Sequence, residues 1–240
     1  MNPKRLIKRS ILLASILLVT GCVYMRLYEM QNQFGNFDAN FELSDKGGLC
    51  LVFLNPVLES GDMVWLMKNE PLKKEKDGEG EMWTYLFEKQ YLTGDGEGHE
   101  YDIPILVLMR GGMVKEIIFP ERFLKNISIP LLKKMFTSMG EAEVDKLSKS
   151  ASSVFKGGGP GDIPGMENIV DTLGVPYSIA EKDETTKYTY LYYLKNGTAV
   201  PVRDYFEFET EFVFDKESKS LEKATGIIRG LSMSLDFSEN

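Results

Sequence analysis

Cys22 is the residue whose surroundings most clearly predict a chemical modification. Four basic residues and no acid precede an apolar run from Ile11 to Thr20. That run is shorter than the roughly 20 apolar residues of a permanent membrane span, but it has the length and flanks of a secretory signal. The small residues Thr20 and Gly21 directly precede the cysteine. The pattern predicts a signal peptide over residues 1–21.

The four residues Val19-Thr20-Gly21-Cys22 resemble the lipobox of bacterial lipoproteins, which has an aliphatic residue three positions before its cysteine. The resemblance implies cleavage after Gly21 and transfer of a diacylglyceryl group to the Cys22 thiol. Mature lipoproteins carry two or three acyl chains, and stable anchoring takes more than one. Val23 stands where this family places the aspartate that retains proteins in the inner membrane. In a Gram-negative host we therefore expect the outer membrane, facing the periplasm. An uncleaved signal anchor with an incidental cysteine is the alternative.

The mature chain is predicted to be strongly acidic. The signal removes four basic residues and no acid, which leaves 24 Lys and Arg against 36 Asp and Glu, a formal charge of −12. Such a surface repels phosphate backbones, so nucleic acid is excluded as a partner. It also disfavours electrostatic adhesion to anionic lipid. The acyl anchor is therefore the expected membrane contact.

The other residues able to do chemistry form no recognisable catalytic set. Cys50 has no cysteine partner once Cys22 is acylated, and its apolar run predicts a buried thiol that packs in the core. His99, the only histidine, lies in a polar Gly-rich loop, so a solvated side chain is expected, not a base or zinc ligand. The acids around it fail the spacing pattern of a calcium loop; they are Asp95, Glu97 and Glu100.

Strand-like runs recur along the chain, starting with a hairpin signal at Asp38–Leu43 and Leu49–Leu54. Further strands are predicted at Met82–Phe87, Ile103–Met109, Val114–Phe119, Tyr188–Leu194, Phe206–Phe214 and Leu221–Ile228. Phenylalanines alternate with acids in the run before Phe214, which indicates a half-buried strand with an acidic outer face. The acids of that face are Glu207, Glu209 and Glu211.

Two of those patterns could also serve recognition. The acidic row could meet a basic partner or hold Ca²⁺ weakly, although a solvated strand face is favoured. The tyrosine cluster could form a binding surface, although core packing under a helix is favoured for some of its members; they are Tyr188, Tyr190, Tyr192 and Tyr193.

Helices are predicted between the strands. Ser60–Met67 is expected to form a short helix capped by Ser60 or Asp62. A longer amphipathic helix is expected after its cap Ser128 and to end near Ser150–Ser153, with Pro130 in its first turn. A glycine-rich joint follows at Gly157–Gly161. It lacks the Gly-Lys-Ser/Thr ending of a phosphate loop, which excludes nucleotide binding there.

The two halves of the chain share a motif of a short helix, a proline and an aromatic-Thr-Tyr-Leu run. The run begins twelve residues after the proline in both copies, with Pro71 and Trp83–Leu86 in the first and Pro176 and Tyr188–Leu191 in the second. This similarity favours duplication of a supersecondary unit, with chance as the alternative.

The second copy carries a family resemblance. A helix over Gly165–Leu173 continues into Leu173-Gly174-Val175-Pro176, and Tyr188-Thr189-Tyr190 follows. These residues resemble the leucine-glycine-x-proline and aromatic-x-tyrosine pattern of the SmpA/OmlA (BamE-like) outer-membrane lipoproteins, whose α/β fold is also seen in β-lactamase-inhibitor-like modules. The first copy departs from the pattern, with Lys68 near the place of the glycine.

The fold class predicted is α+β, with two small helix-plus-antiparallel-sheet modules joined by the amphipathic helix and the Gly-rich linker. The predicted boundaries are a signal peptide at 1–21, a tether at 22–37, a first module with its hairpin at 38–126, a helical connector at 127–156 and a second, BamE-like module at 157–240.

The function predicted is that of a non-enzymatic, lipid-anchored envelope protein without metal or cofactor. By resemblance, it would act through contacts with envelope proteins, in outer-membrane assembly or envelope integrity. A lipoprotein that holds a lipid or small ligand between its halves is the alternative. A hydrolase with paired carboxylates is a third class, because acids are abundant although the sequence selects no pair.

Overall fold

The computed structural model describes residues 23–92, 99–145, 147–155, 163–195, 208–228 and 230–238. The fold is α+β, with helices packed on one large and mostly antiparallel sheet that contains thirteen described strands. Gly21, Cys22 and the joint at Gly157–Gly161 lie outside the described residues, so the signal cleavage, the lipidation and the linker stay predictions. Within the described ranges, no helix has both the length and the apolarity that a membrane span requires.

The helices are α1 (described over 23–35), α2 (Phe37–Asn40), α3 (Ser60–Met67), α4 (Ile129–Gly140) and α5 (Met166–Leu173), with a 3-10 turn at Glu121–Leu124. The strands are β1 (Phe41–Ser44), β2 (Leu49–Phe53), β3 (Lys73–Asp77), β4 (Gly80–Lys89), β5 (Ile103–Arg110), β6 (Met113–Phe119), β7 (Glu143–Asp145), β8 (Ser150–Val154), β9 (Ser178–Lys182), β10 (Thr185–Leu194), β11 (Phe208–Asp215), β12 (Leu221–Ile228) and β13 (Leu231–Asp236). Their order in the sheet is β1-β2-β6-β5-β4-β10-β11-β12-β13-β8-β7, with β3 beside β4 and β9 beside β10.

Most of the predicted strands are confirmed because each has one face that must be buried. In β4, alternate residues point into the core, where Trp83, Tyr85 and Phe87 are at most 5% exposed. The hairpin β1–β2 forms with Phe41 opposite Phe53, but the prediction of a strand over Asp38–Leu43 is wrong at its start, because 38–40 belong to the helix α2. The prediction for β12 is confirmed at both ends, whereas β11 is described only from Phe208. Five of the described strands were not predicted. Strands β3 and β9 are charged or exposed and lack apolar alternation; β7 and β8 fall where a helix was predicted, and β13 was missed although its apolar residues alternate with serine.

The predicted helix α3 is confirmed, but its N-cap residue is Glu59, and Asp62 completes a capping box from the third helical position. The Asp62 carboxylate accepts a hydrogen bond from the Glu59 N–H at 2.8 Å. The equivalent bond in α5 runs from the Gly165 N–H to the Asn168 side-chain oxygen at 3.0 Å. Each helix therefore begins with a side chain of its own first turn that reaches back to the preceding amide.

The helix predicted after Ser128 is confirmed only as far as Gly140. The Ser128 hydroxyl caps it by accepting the Leu131 N–H at 3.3 Å. The continuation to Ser150–Ser153 and thus the helical connector over 127–156 are wrong, because β7 and β8 form a hairpin whose second strand pairs in parallel with β13. Gly140 packs so closely on α1 that an added Cβ would lie 2.1 Å from the Gly35 nitrogen.

The tether predicted over 22–37 is also wrong, because residues 23–35 form the described part of α1. Apolar residues at helical spacing turn one side of α1 to the body, and Val23 and Phe34 are nearly buried. The Phe34 ring stacks on Phe41 at 4.6 Å and on Phe136 at 5.2 Å. The first described residues are therefore part of the folded body.

The two halves of the sheet repeat the same elements at the same spacing. Strands β9 and β10 each begin and end 105 residues after β3 and β4, and β11 ends 105 residues after β5. The register shift between Leu108 and Met109 recurs between Val213 and Phe214, at the same spacing.

The equivalent strands β4 and β10 meet antiparallel at a local two-fold relation. Glu88 pairs with Tyr193 at the centre of this relation. On either side of that pair, equivalent residues of the two strands make the same backbone hydrogen bond in opposite directions. These bonds run from the Gln90 N–H to the Leu191 oxygen at 2.9 Å and from the Lys195 N–H to the Leu86 oxygen at 2.7 Å. The centre of the sheet is thus built from matched parts of both halves.

Candidate functional site

A cleft of about 430 Å³ lies beside the pairing of β4 and β10 and contains the only histidine of the chain. The described residues that line this junction cleft are Leu86, His99, Glu100, Asp102, Pro104, Arg122 and Lys195. Lys195 comes from the second half of the chain, and the others come from the first. The cleft therefore depends on the joining of the two halves.

His99 is solvated, as predicted, but it has a partner that its sequence neighbourhood did not reveal. Its Nδ1 lies 2.8 Å from a carboxylate oxygen of Asp102, and the two side chains are 81% and 8% exposed. The other Asp102 oxygen accepts the Lys89 N–H at 2.8 Å. A buried carboxylate held by the backbone thus orients an exposed imidazole, an arrangement able to accept or donate a proton.

Three ligand atoms converge at the same place. Atoms of Glu88, His99 and Asp102 lie within 4.8 Å of one another, and one nitrogen with two oxygens suits a divalent transition metal. Both acids already have partners, however. Glu88 binds the Lys195 ammonium at 2.7 Å, which raises the pKa of Lys195. A cation would have to displace those partners, so we assign no metal here.

Lys89 is a buried cation at the base of the junction and is only 5% exposed. Its ammonium donates to the Leu173 oxygen at the end of α5. The rings of Tyr91, Tyr101 and Tyr190 surround it at 5.0, 4.9 and 5.1 Å. Burial, with a smaller contribution from the nearby Arg122, lowers the pKa of Lys89 to about 8. Cation–π contacts and the carbonyl bond partly offset this burial.

Arg122 fixes the same joint. Its guanidinium donates to two backbone carbonyl oxygens, that of Thr172 in α5 at 3.1 Å and that of Asp102 at 2.7 Å. Burial lowers the pKa of Arg122. Two cations of the first half therefore bind the carboxyl end of a helix in the second half, where the helix dipole is negative. Sequence reasoning missed both residues because Lys and Arg are ordinarily exposed.

Comparison with protein-family models, with curated proteins and with solved structures finds no match for this chain. The chemistry of the junction cleft is therefore inferred from its own lining residues. The described residues that line it include no hydroxyl or thiol side chain. The arrangement can exchange protons and bind charged groups, but these lining residues supply no nucleophile for serine or cysteine catalysis.

The sheet face opposite the helices adjoins the cleft. We call it the open face, because five of its apolar side chains stay half-buried, whereas Leu108 and Leu191 on the same face are buried. The five are Leu86, Leu106, Ile118, Tyr193 and Ile227. Leu106 pairs with Ile118 across neighbouring strands, and Glu209 lies opposite Ile227. Glu211 of the predicted acidic row binds the Lys187 ammonium at 2.5 Å. Asp95, Glu97 and Glu207 lie outside the described residues.

The remaining candidates from the sequence pack in the core. Tyr190 and Tyr192 are fully buried, so core packing is confirmed for these two tyrosines. Cys50 is 4% exposed and its sulfur lies 3.7 Å from a Glu116 carboxylate oxygen. Burial raises the pKa of the Cys50 thiol, so thiolate chemistry is disfavoured there.

Proposed function

We propose that this chain is a lipid-anchored envelope protein that binds another protein on the open face of its sheet. The observation that carries the proposal is the continuity of this face across β4 and β10, where half-buried apolar side chains adjoin charged ones. Such a mixture, an apolar centre with a polar rim, is typical of protein interfaces. The buried contacts of Lys89 and Arg122 hold the two halves of the face together.

The repeated geometry supports a duplicated origin. We infer that both halves derive from one helix-and-strands unit, because spans, registers and bulges recur at matching positions. Each unit is what resembles the BamE-like lipoproteins, most closely in the second half. By that resemblance, the partner would be a protein of the outer membrane or periplasm.

Photo-crosslinking from the open face tests the proposal. A benzophenone amino acid at Leu106 or Ile118, introduced one at a time, should give one discrete protein adduct in native envelopes. Glu167 on α5 is exposed on the helix side and supplies the matched control. Adducts from Glu167 equal to those from Leu106, or no adduct from either strand position, would contradict binding on the open face.

The proposed lipid anchor predicts acyl mass on the mature protein. The Cys22→Ser variant should lose all acyl mass, because the thiol that accepts the lipid is gone. Cys50→Ser is the matched control and should stay acylated, since the Cys50 thiol is buried. Intact-mass measurement of the extracted proteins checks this, and an unmodified Cys22 in the natural protein would refute the anchor.

Ligand binding is the second candidate because the junction cleft offers both signs of charge. The groups His99, Arg122 and Lys195 line it beside Glu100 and Asp102. They suit a small polar anion better than an acyl chain. A small molecule retained in the native mass spectrum of the extracted protein, and lost from an Arg122→Met variant, would favour this function.

A further inference from the structure

The first two turns of α1 carry an apolar face that stays exposed on the folded body. We call it the amino-terminal patch; it consists of Tyr24, Met25 and Tyr28, which are 50%, 73% and 60% exposed. Residues three and four positions apart share one side of a helix, so the three side chains lie together. One turn further along the same side, the exposed residues are the acidic Glu29 and the polar Asn32. The apolar exposure is therefore confined to the turns nearest Cys22.

The patch has a fixed orientation relative to the body. Two nitrogens of the Arg26 guanidinium donate to the two carboxylate oxygens of Asp62, each at 2.6 Å, and Asp62 is fully buried. The Tyr24 ring meets the Trp65 ring edge-on, with 5.3 Å between the centroids. These contacts hold the exposed side of α1 outward as one rigid surface.

We propose that the amino-terminal patch rests in the interface of the bilayer that holds the lipid of Cys22. The inference rests on the proposed lipid anchor. Tyr28 follows Cys22 by six residues, which is about 9 Å along a helix. The polar zone on each side of a bilayer is about 5–7 Å thick. Tyr24 and Met25 follow Cys22 by only two and three residues, so acyl chains in the hydrocarbon bring the start of the patch to the interface, where tyrosine is enriched. Tyr28 reaches the same zone when the helix lies along the bilayer surface.

The chemistry of the patch selects a lipid surface through apolar contact and not through charge. The predicted mature chain has a formal charge of −12, so anionic headgroups repel it as a whole. No basic residue belongs to the patch. Docking must then come from burial of Tyr24, Met25 and Tyr28, and it should change little with salt or with the fraction of anionic lipid. A fixed patch also sets which side of the body faces away from the membrane.

Quenching of Trp65 by brominated lipid tests the docking. The chain has two tryptophans, so a Trp83→Phe variant, processed and acylated in cells and reconstituted in phosphatidylcholine vesicles, reports Trp65 alone. Bromine on the acyl chains near the headgroup should quench its emission equally at low and high salt. Adding Met25→Ser and Tyr28→Ser should abolish the quenching while the Tyr24–Trp65 contact remains. Val175→Ser with Ile179→Ser is the matched control, since both residues are exposed and apolar elsewhere.

The results of these experiments distinguish failure of the bilayer docking from failure of the proposed lipid anchor. An unmodified Cys22 in the mass spectrum overturns the proposed function and the docking together. An acylated, vesicle-bound protein whose Trp65 is not quenched overturns the docking alone. Quenching that disappears at high salt, or a photo-crosslink from position 28 to a protein instead of lipid, overturns the apolar bilayer contact as well.

Discussion

Asp62→Ala is expected to lower the free energy of unfolding by about 3 kcal/mol, because the change breaks a buried ion pair and removes a helix cap. The wild-type carboxylate is fully buried and binds the Arg26 guanidinium through both oxygens. It also accepts the Glu59 N–H at 2.8 Å. Urea denaturation of the mature chain measures the loss. Amide hydrogen exchange over residues 23–35 should quicken in the same variant, because α1 loses its main polar attachment.

The repeat supplies a second variant that separates the two roles of Asp62. Its equivalent in α5 is Asn168, which accepts the same kind of backbone bond and whose side-chain nitrogen donates to the Asn126 side-chain oxygen. Asp62→Asn should therefore keep the backbone hydrogen bond and lose the charge pair. We expect its free energy of unfolding to lie between those of the wild type and Asp62→Ala. Glu59→Gln is the control, since the Arg26–Glu59 pair is longer and Glu59 is 53% exposed; we expect a change within about 0.5 kcal/mol. Equal costs for Asp62→Asn and Glu59→Gln would show that the buried pair contributes nothing.

Elements with a strong local signal could be predicted from the sequence. The alternation in β4 and β10, the glycine turn between β1 and β2, and the apolar run of α3 each encode one buried face. The acidic side of β11 followed from the same period. Such predictions depend on residues two to four positions apart, and these spacings can be read directly from the amino-acid sequence.

Features that depend on distant residues could not be predicted. The end of α4 at Gly140 is set by contact with the backbone of 34–35, more than a hundred residues earlier. β8 is a strand because β13, near the other end of the chain, pairs with it. The partner of His99 is Asp102, close in sequence, but the burial that makes its carboxylate a fixed acceptor comes from the fold.

The junction also explains why the repeat is imperfect. Gly174 has a positive φ of 74°, and a Cβ there would lie 2.7 Å from Tyr101 and 2.8 Å from the Lys89 ammonium. The equivalent position in the first half is Lys68, which takes a φ of 48° although it carries a long side chain. Leu194 stands where Lys89 stands in the other half. A symmetric backbone thus carries one cation site, and glycine is required only on that side.

Raising the pH from 7 to 9.5 is expected to stabilise the wild type relative to Lys89→Met by about 2 kcal/mol. Burial holds the pKa of Lys89 at about 8 in the folded protein, below its ordinary value of 10.5. Between these values the unfolded chain binds more protons, so the free energy of unfolding rises with pH. The contribution is complete only above the unfolded pKa, and it is absent below the folded one. Methionine keeps the length and apolar stem of the side chain but cannot titrate.

Comparison of the two proteins removes the other groups that titrate in this window. The pKa of Cys50 is raised by burial, which lowers stability as pH rises, but this affects both proteins equally. Burial also raises the pKa of Tyr190 and Tyr192, so their destabilising effect begins near pH 10, above the window. Lys195→Met should leave the pH dependence unchanged, because pairing with Glu88 raises the pKa of Lys195. Urea midpoints at four pH values suffice. If the difference in unfolding free energy between the wild type and Lys89→Met does not change with pH, the prediction is wrong. The three tyrosine rings and the Leu173 oxygen would then fully replace the hydration of the ammonium.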